Sequence, residues 1–233
     1  MLPPQARPAP ATTARPRVEE LECRLTPAVT VRFDYSLDGA GFFADPARRA
    51  ALESAATAIT SRLGDDLAAI TPGGVNSWTA SVYNPVTGAN VVLQNPTFAE
   101  GEVLVYVASA PLGGPELGLA TTGGFTATGT RDWLNTVRGR GQLGALNATK
   151  TDYSTWGGMV TFDSVTNWNF SDAPPAPDQF DFESVALHEL MHVFGFGIGE
   201  PAFVRNVAGW NGTSGQFVGP TVSAVAGGPV AIA

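Results

Sequence analysis

The sequence is poor in several things that would settle its class by themselves. It has one cysteine, Cys23, so it holds no intrachain disulfide, and an oxidising compartment is neither required nor excluded. No apolar run is long enough to span a bilayer, and no apolar core of roughly 7 to 15 residues follows the arginines near the start, so the usual secretory signal pattern is missing. Charged residues make up only 15% of the chain, lysine is scarce, and the balance is acidic at a net −8, which argues against nucleic acid and against anionic membrane as partners. Histidine occurs just twice. Glycine (27), proline (18) and a 44% hydrophobic content over 233 residues allow one good core, or one domain with appendages.

Both histidines fall in Asp181-Phe182-Glu183-Ser184-Val185-Ala186-Leu187-His188-Glu189-Leu190-Met191-His192-Val193-Phe194-Gly195-Phe196-Gly197. His188 and His192 are four residues apart, so on a helix they project from one face, one turn above the other, at the spacing two imidazoles need to share a tetrahedral metal ion. Glu189 leans toward the same side, where it reaches a metal-bound water without being a ligand. The plainer alternative is a buried helix with two satisfied core histidines, since Phe182, Val185, Leu187, Leu190, Val193 and Phe196 are apolar nearly all round. Random placement puts two histidines four apart in roughly one chain of this length in a hundred, which favours the metal. Asp181 is a natural N-cap for this helix, and Ser184 lies one turn before His188 on its face.

The rest of the chain reads as one α+β domain over residues 29–200, preceded by a disordered leader over 1–28 and followed by a Gly-rich apolar extension over 201–233. Residues 29–35 alternate as a half-buried strand; Asp45-Pro46 opens a long helix striped by Ala51, Leu52, Ala55, Ala56, Ile59 and Leu63 and ended by Gly64. Short strands follow at 77–83, 90–94, 102–108 and 117–122, with 102–108 continuous enough in apolar residues to be central and covered on both faces. Residues 123–156 read as a surface excursion whose Arg131, Arg138, Arg140 and Lys150 form a solvated face. Gly157 to Asp163 is another strand, and the loop 171–179 leads to the histidine helix.

Two resemblances add to this reading. Leu21-Glu22-Cys23-Arg24-Leu25-Thr26-Pro27-Ala28 resembles a short leader that precedes large exported proteins in some bacterial lineages, which with the lysine-poor, Gly/Pro/Thr/Ala-rich composition implies a secreted or cell-surface bacterial protein; a solvated amphipathic tail is the alternative. Cys23 within it is an incidental thiol, because no histidine is left over to activate it. His188, Glu189, His192 and Gly195 match the zincin pattern and, within it, the longer His-Glu-x-x-His-x-x-Gly pattern of metzincins; Ala186 to Gly197 resembles matrixin-like bacterial proteins, and Gly157 to Asp163 with Trp168 resembles the strand before the helix in matrixins. The resemblance implies a mixed twisted sheet with a long N-terminal-side helix and an active-site helix, zinc as cofactor, peptide-bond hydrolysis, a protein or peptide substrate extended along the sheet edge, and Glu189 as general base.

The chain also departs from that pattern. Ile198 stands where the family's third histidine falls, and no methionine follows Met191 to supply the family's methionine turn. Three readings are open: Glu200 closes the metal site through the Gly195-Phe196-Gly197-Ile198-Gly199 turn, the third ligand lies beyond residue 233 as in relatives with a long insertion, or the site is degenerate and the chain is an inactive extracellular binding module. Asp163, Asp172, Asp178 and Asp181 surround one loop; matrixin-like proteins often hold calcium in such a place, but the spacing fits no fixed calcium loop and reads as solvated turns.

Overall fold

The computed structural model describes residues 28–232. The leader expected at 1–28 therefore lies almost wholly outside the described residues. The folded part begins with β1 (Thr30–Asp34), then α1 (Pro46–Thr60), β2 (Ser77–Tyr83), β3 (Asn90–Gln94), β4 (Glu102–Ala110), β5 (Gly118–Thr122) and β6 (Gly124–Thr128). After α2 (Arg131–Gly139) come β7 (Gly157–Asp163), β8 (Trp168–Asn169), β9 (Phe180–Asp181) and α3 (Phe182–Val193). This is a mixed α+β chain with several sheets.

The main sheet runs in the order β1-β4-β7-β5, with β1, β4 and β7 parallel and β5 antiparallel at one edge. Central β4 is buried along almost its whole length, as its unbroken apolar run predicts. Alternation sends Val103, Val105 and Val107 to one face, where they join Leu52, Ile59, Phe162, Phe182 and Leu190 from the strands and from α1 and α3. Leu104 and Tyr106 point the other way, into a second core with Ile70, Trp78, Phe98 and Trp156. That second core lies under an antiparallel sheet in the order β3-β2-β6.

Helix α1 starts as its sequence demands: Asp45 Oδ1 accepts from the Ala47 amide at 2.9 Å and Pro46 fills the first position. It ends at Thr60, earlier than Gly64, because Ser61 already serves as the C-cap and Leu63 packs on the core from outside the helix. The larger correction concerns residues 123–156. They are not a surface excursion: β6 pairs with β2, α2 is capped by Thr130, and Trp133, Val137, Ala145 and Trp156 are buried. Nor is Arg140 solvated. It is fully buried, and its guanidinium donates to the carbonyls of Ala68, Ala99, Glu102 and Thr155. Burial lowers it to about 10, with Glu102 acting in the opposite sense, so it remains a cation at neutral pH and ties three separate stretches together.

Residues 201–232, expected as a Gly-rich extension, carry α4 (Pro201–Val204), α5 (Pro220–Ala226) and a small antiparallel sheet of β10 (Val207–Ala208), β11 (Gly215–Phe217) and β12 (Val230–Ile232). Among the described residues none of this unit joins either core; the ring of Phe203 meets Phe196 of the main domain at 6.2 Å between centroids and Phe217 of its own unit at 5.2 Å. No helix among the described residues is long and apolar enough to cross a membrane.

Candidate functional site

Helix α3 forms where Asp181, in extended conformation, accepts from the Ser184 amide at 2.9 Å. Phe182, Ala186, Leu190 and Val193 repeat at helical spacing and sink into the first core, which fixes the roll of the helix. That roll turns His188 and His192 outward: His188 is exposed and His192 half-buried, so neither is a packed core histidine. Their Nε2 atoms converge to 3.2 Å, with the rings nearly perpendicular at 88°. Two nitrogens each about 2.0–2.1 Å from one tetrahedral zinc ion would be separated by roughly 3.3 Å, so the pair fits such an ion.

The C-terminus of α3 sets the tautomer. Gly195 takes φ of 85°, the Phe196 amide donates to the Met191 carbonyl and the Gly195 amide to the His192 carbonyl, both at 3.0 Å, closing the helix in a Schellman turn. This turn swings the Phe196 carbonyl to 2.6 Å from His192 Nδ1. A carbonyl only accepts, so Nδ1 carries the proton and the Nε2 lone pair faces His188, the orientation a metal ligand requires. Although its ring edge is open to solvent, the cleft walls partly desolvate His188 and, with the neighbouring His192, hold it below its usual pKa of 6.5, which favours the neutral, ligating imidazole.

Glu189 is buried at the base of the same cleft, a space of about 440 Å³ bounded by β5 on one side and by residues 196–200 on the other. Burial raises its carboxyl above the ordinary 4.5, only partly opposed by His192, which makes it a better proton acceptor than a solvated glutamate. Gly118 of β5 lies directly against it: a methyl group there would come within 2.6 Å of Glu189 Cγ and 2.8 Å of Oε1. Glycine in a strand marks close approach, so Gly118 was a readable signal although sequence reasoning did not single it out. The Phe196 carbonyl and Tyr153 were also missed; main-chain acceptors leave no mark in a motif, and Tyr153 sits in the stretch read as surface.

Glu200 lines the same cleft, and burial raises its pKa. Among the described residues, however, no group of three or more His, Cys, Asp or Glu side chains is assembled, so the structure brings His188 and His192 together and leaves Glu200 on the wall. The four aspartates weighed for calcium are likewise not gathered: Asp163 accepts from Leu112 and Thr166, Asp178 from Asn167, and Asp181 caps α3. No protein-family model matches the chain, and no curated protein or solved structure matches it.

Proposed function

We propose that the chain is a zinc-dependent metalloendopeptidase of metzincin type, matrixin-like in its His188-Glu189-Leu190-Met191-His192-Val193-Phe194-Gly195 helix, acting on protein substrates outside the cell. The observation that carries this reading is the pair of Nε2 atoms 3.2 Å apart above a buried glutamate at an open cleft. His188 and His192 would hold the ion, with Glu200 the one further carboxylate of the cleft wall available as a third ligand. When bound, zinc supplies a Lewis acid and a water of lowered pKa. Glu189 takes the proton from the attacking water and delivers it to the leaving amine. Among the described residues β5 is an edge strand of the main sheet and offers main-chain donors and acceptors along the cleft, so an extended peptide is held by backbone pairing beside Glu189.

Zinc content of the purified chain, measured beside cleavage of a generic unfolded protein, tests the reading. One zinc per chain is expected, with cleavage lowered by about 10²–10⁴ in Glu189→Ala and the metal retained. The missing third partner beside the histidines favours a second reading, an inactive extracellular binding module of the same fold. Absence of both zinc and cleavage in the intact chain would move that reading ahead.

A further inference from the structure

Tyr153 belongs to neither core, and the chemistry above uses none of its atoms for substrate or metal. Its ring nevertheless lies directly beneath the Gly195 turn: a methyl group built on Gly195 would fall 2.5 Å from Cδ1 and 2.6 Å from Cγ of the ring. The turn descends this far only because residue 195 has no side chain and accepts the left-handed φ of 85°. Its next residue provides the carbonyl that meets His192 Nδ1. Around the ring are a cavity of about 190 Å³ toward Phe194 and Asp65 and another of about 230 Å³ toward Glu200 and Pro201. With space on these sides, loss of the ring would let the turn sink.

The hydroxyl end of the ring lies beside the side chains of Thr122, the last residue of β5, and Thr155, and burial together with the Glu200 carboxylate pushes the phenol up to about 12, so it stays protonated at any working pH. One side chain thus lies against the turn that aims His192, beside the end of the strand that forms the opposite cleft wall, and shares a cavity with Glu200.

Resting on the metalloendopeptidase reading, we infer that Tyr153 is a positioning residue whose ring props the Gly195 turn under His192 and whose hydroxyl fixes the end of β5 relative to it. The ring acts on metal affinity and the hydroxyl on substrate binding.

The test compares Tyr153→Leu, Tyr153→Phe and, as a control of similar destabilisation in the other core, Phe98→Leu. Two readouts are used: the zinc dissociation constant of the folded apo chain by competition with a chromogenic chelator, and the imidazole ¹⁵N shifts of His192 in metal-free protein. Tyr153→Leu should weaken zinc about tenfold, the scale of outer-shell losses, and shift His192 away from the tautomer protonated at Nδ1. Tyr153→Phe should keep both values and raise KM for a peptide substrate with kcat little changed. Phe98→Leu should lower the melting temperature and move neither value. Unchanged zinc affinity and unchanged His192 shifts in a folded Tyr153→Leu protein would overturn the inference. If the intact chain binds no zinc but His192 still responds to Tyr153→Leu, the positioning role stands and the protease reading falls.

Discussion

Gly118 and Arg140 show how much a single position carries here. A side chain at Gly118 must displace Glu189 or push β5 outward, since a methyl group would meet three Glu189 atoms within 2.8 Å. Gly118→Ala should therefore depress turnover by an order of magnitude or more while leaving zinc stoichiometry at one, because a misplaced base of about 1 Å costs catalysis but not ligation. A parallel loss of zinc would show that β5 and α3 move together instead. Arg140 answers to stability. Replacing it by methionine fills most of the space but removes the guanidinium from four main-chain carbonyls, of which Ala99 retains the Glu102 amide at 3.3 Å, a cost of about 3 kcal/mol or more, equivalent to a fall of roughly 6–12 °C in melting temperature for a chain of this size. Calorimetry of Arg140→Met measures it, and a shift of a degree or two would mean that water reaches those carbonyls.

Among the elements, β7 and the turn after it depend on Asp163. Burial works against its charge, but the Thr166 hydroxyl at 2.6 Å, the Leu112 amide at 2.9 Å and the amides of Val165 and Thr166 more than offset this, so its carboxyl lies below the ordinary 3.8. A carboxylate with a depressed folded-state pKa stabilises the fold above 3.8 and loses that contribution as pH falls through the folded value. Asp163→Asn should lower stability at pH 7 and flatten its pH dependence below about 4, as acid titration of tryptophan fluorescence would record; an unaltered acid limb would assign acid unfolding to other carboxylates. The strands at 77–83 and 90–94 and the capped start of α1 were legible because local chemistry decides them: alternation, turn residues, Asp-Pro. Residues 123–156 were not, because their glycine and threonine content outweighs the four spaced apolar residues that bury them, and a buried arginine looks on paper like a surface one.

In the whole molecule, the candidate site joins what sequence spacing could show with what only topology supplies. The helical face that presents His188, Glu189 and His192 follows from their spacing; the cleft follows from β5 joining β7 at the sheet edge, a pairing between distant residues that no local pattern announces. The unit from 201 to 232 adds a further dependence. Among the described residues its aromatic link to the rest runs through Phe196, whose carbonyl meets His192, so Phe203→Ala should loosen zinc binding by several-fold while the two main cores keep their cooperative melting; an unmoved zinc affinity would show that the Schellman turn holds His192 without that support.

The proposed function stands on one metal ion held between the two imidazoles. X-ray absorption at the zinc edge on the zinc-loaded chain addresses it directly. One zinc per chain is expected, with two histidine nitrogens at about 2.0–2.1 Å, the remaining neighbours oxygens, and the imidazole scattering lost in a His188→Ala/His192→Ala double variant. A chain that retains no zinc, or whose zinc keeps the same neighbours after both histidines are removed, would contradict it.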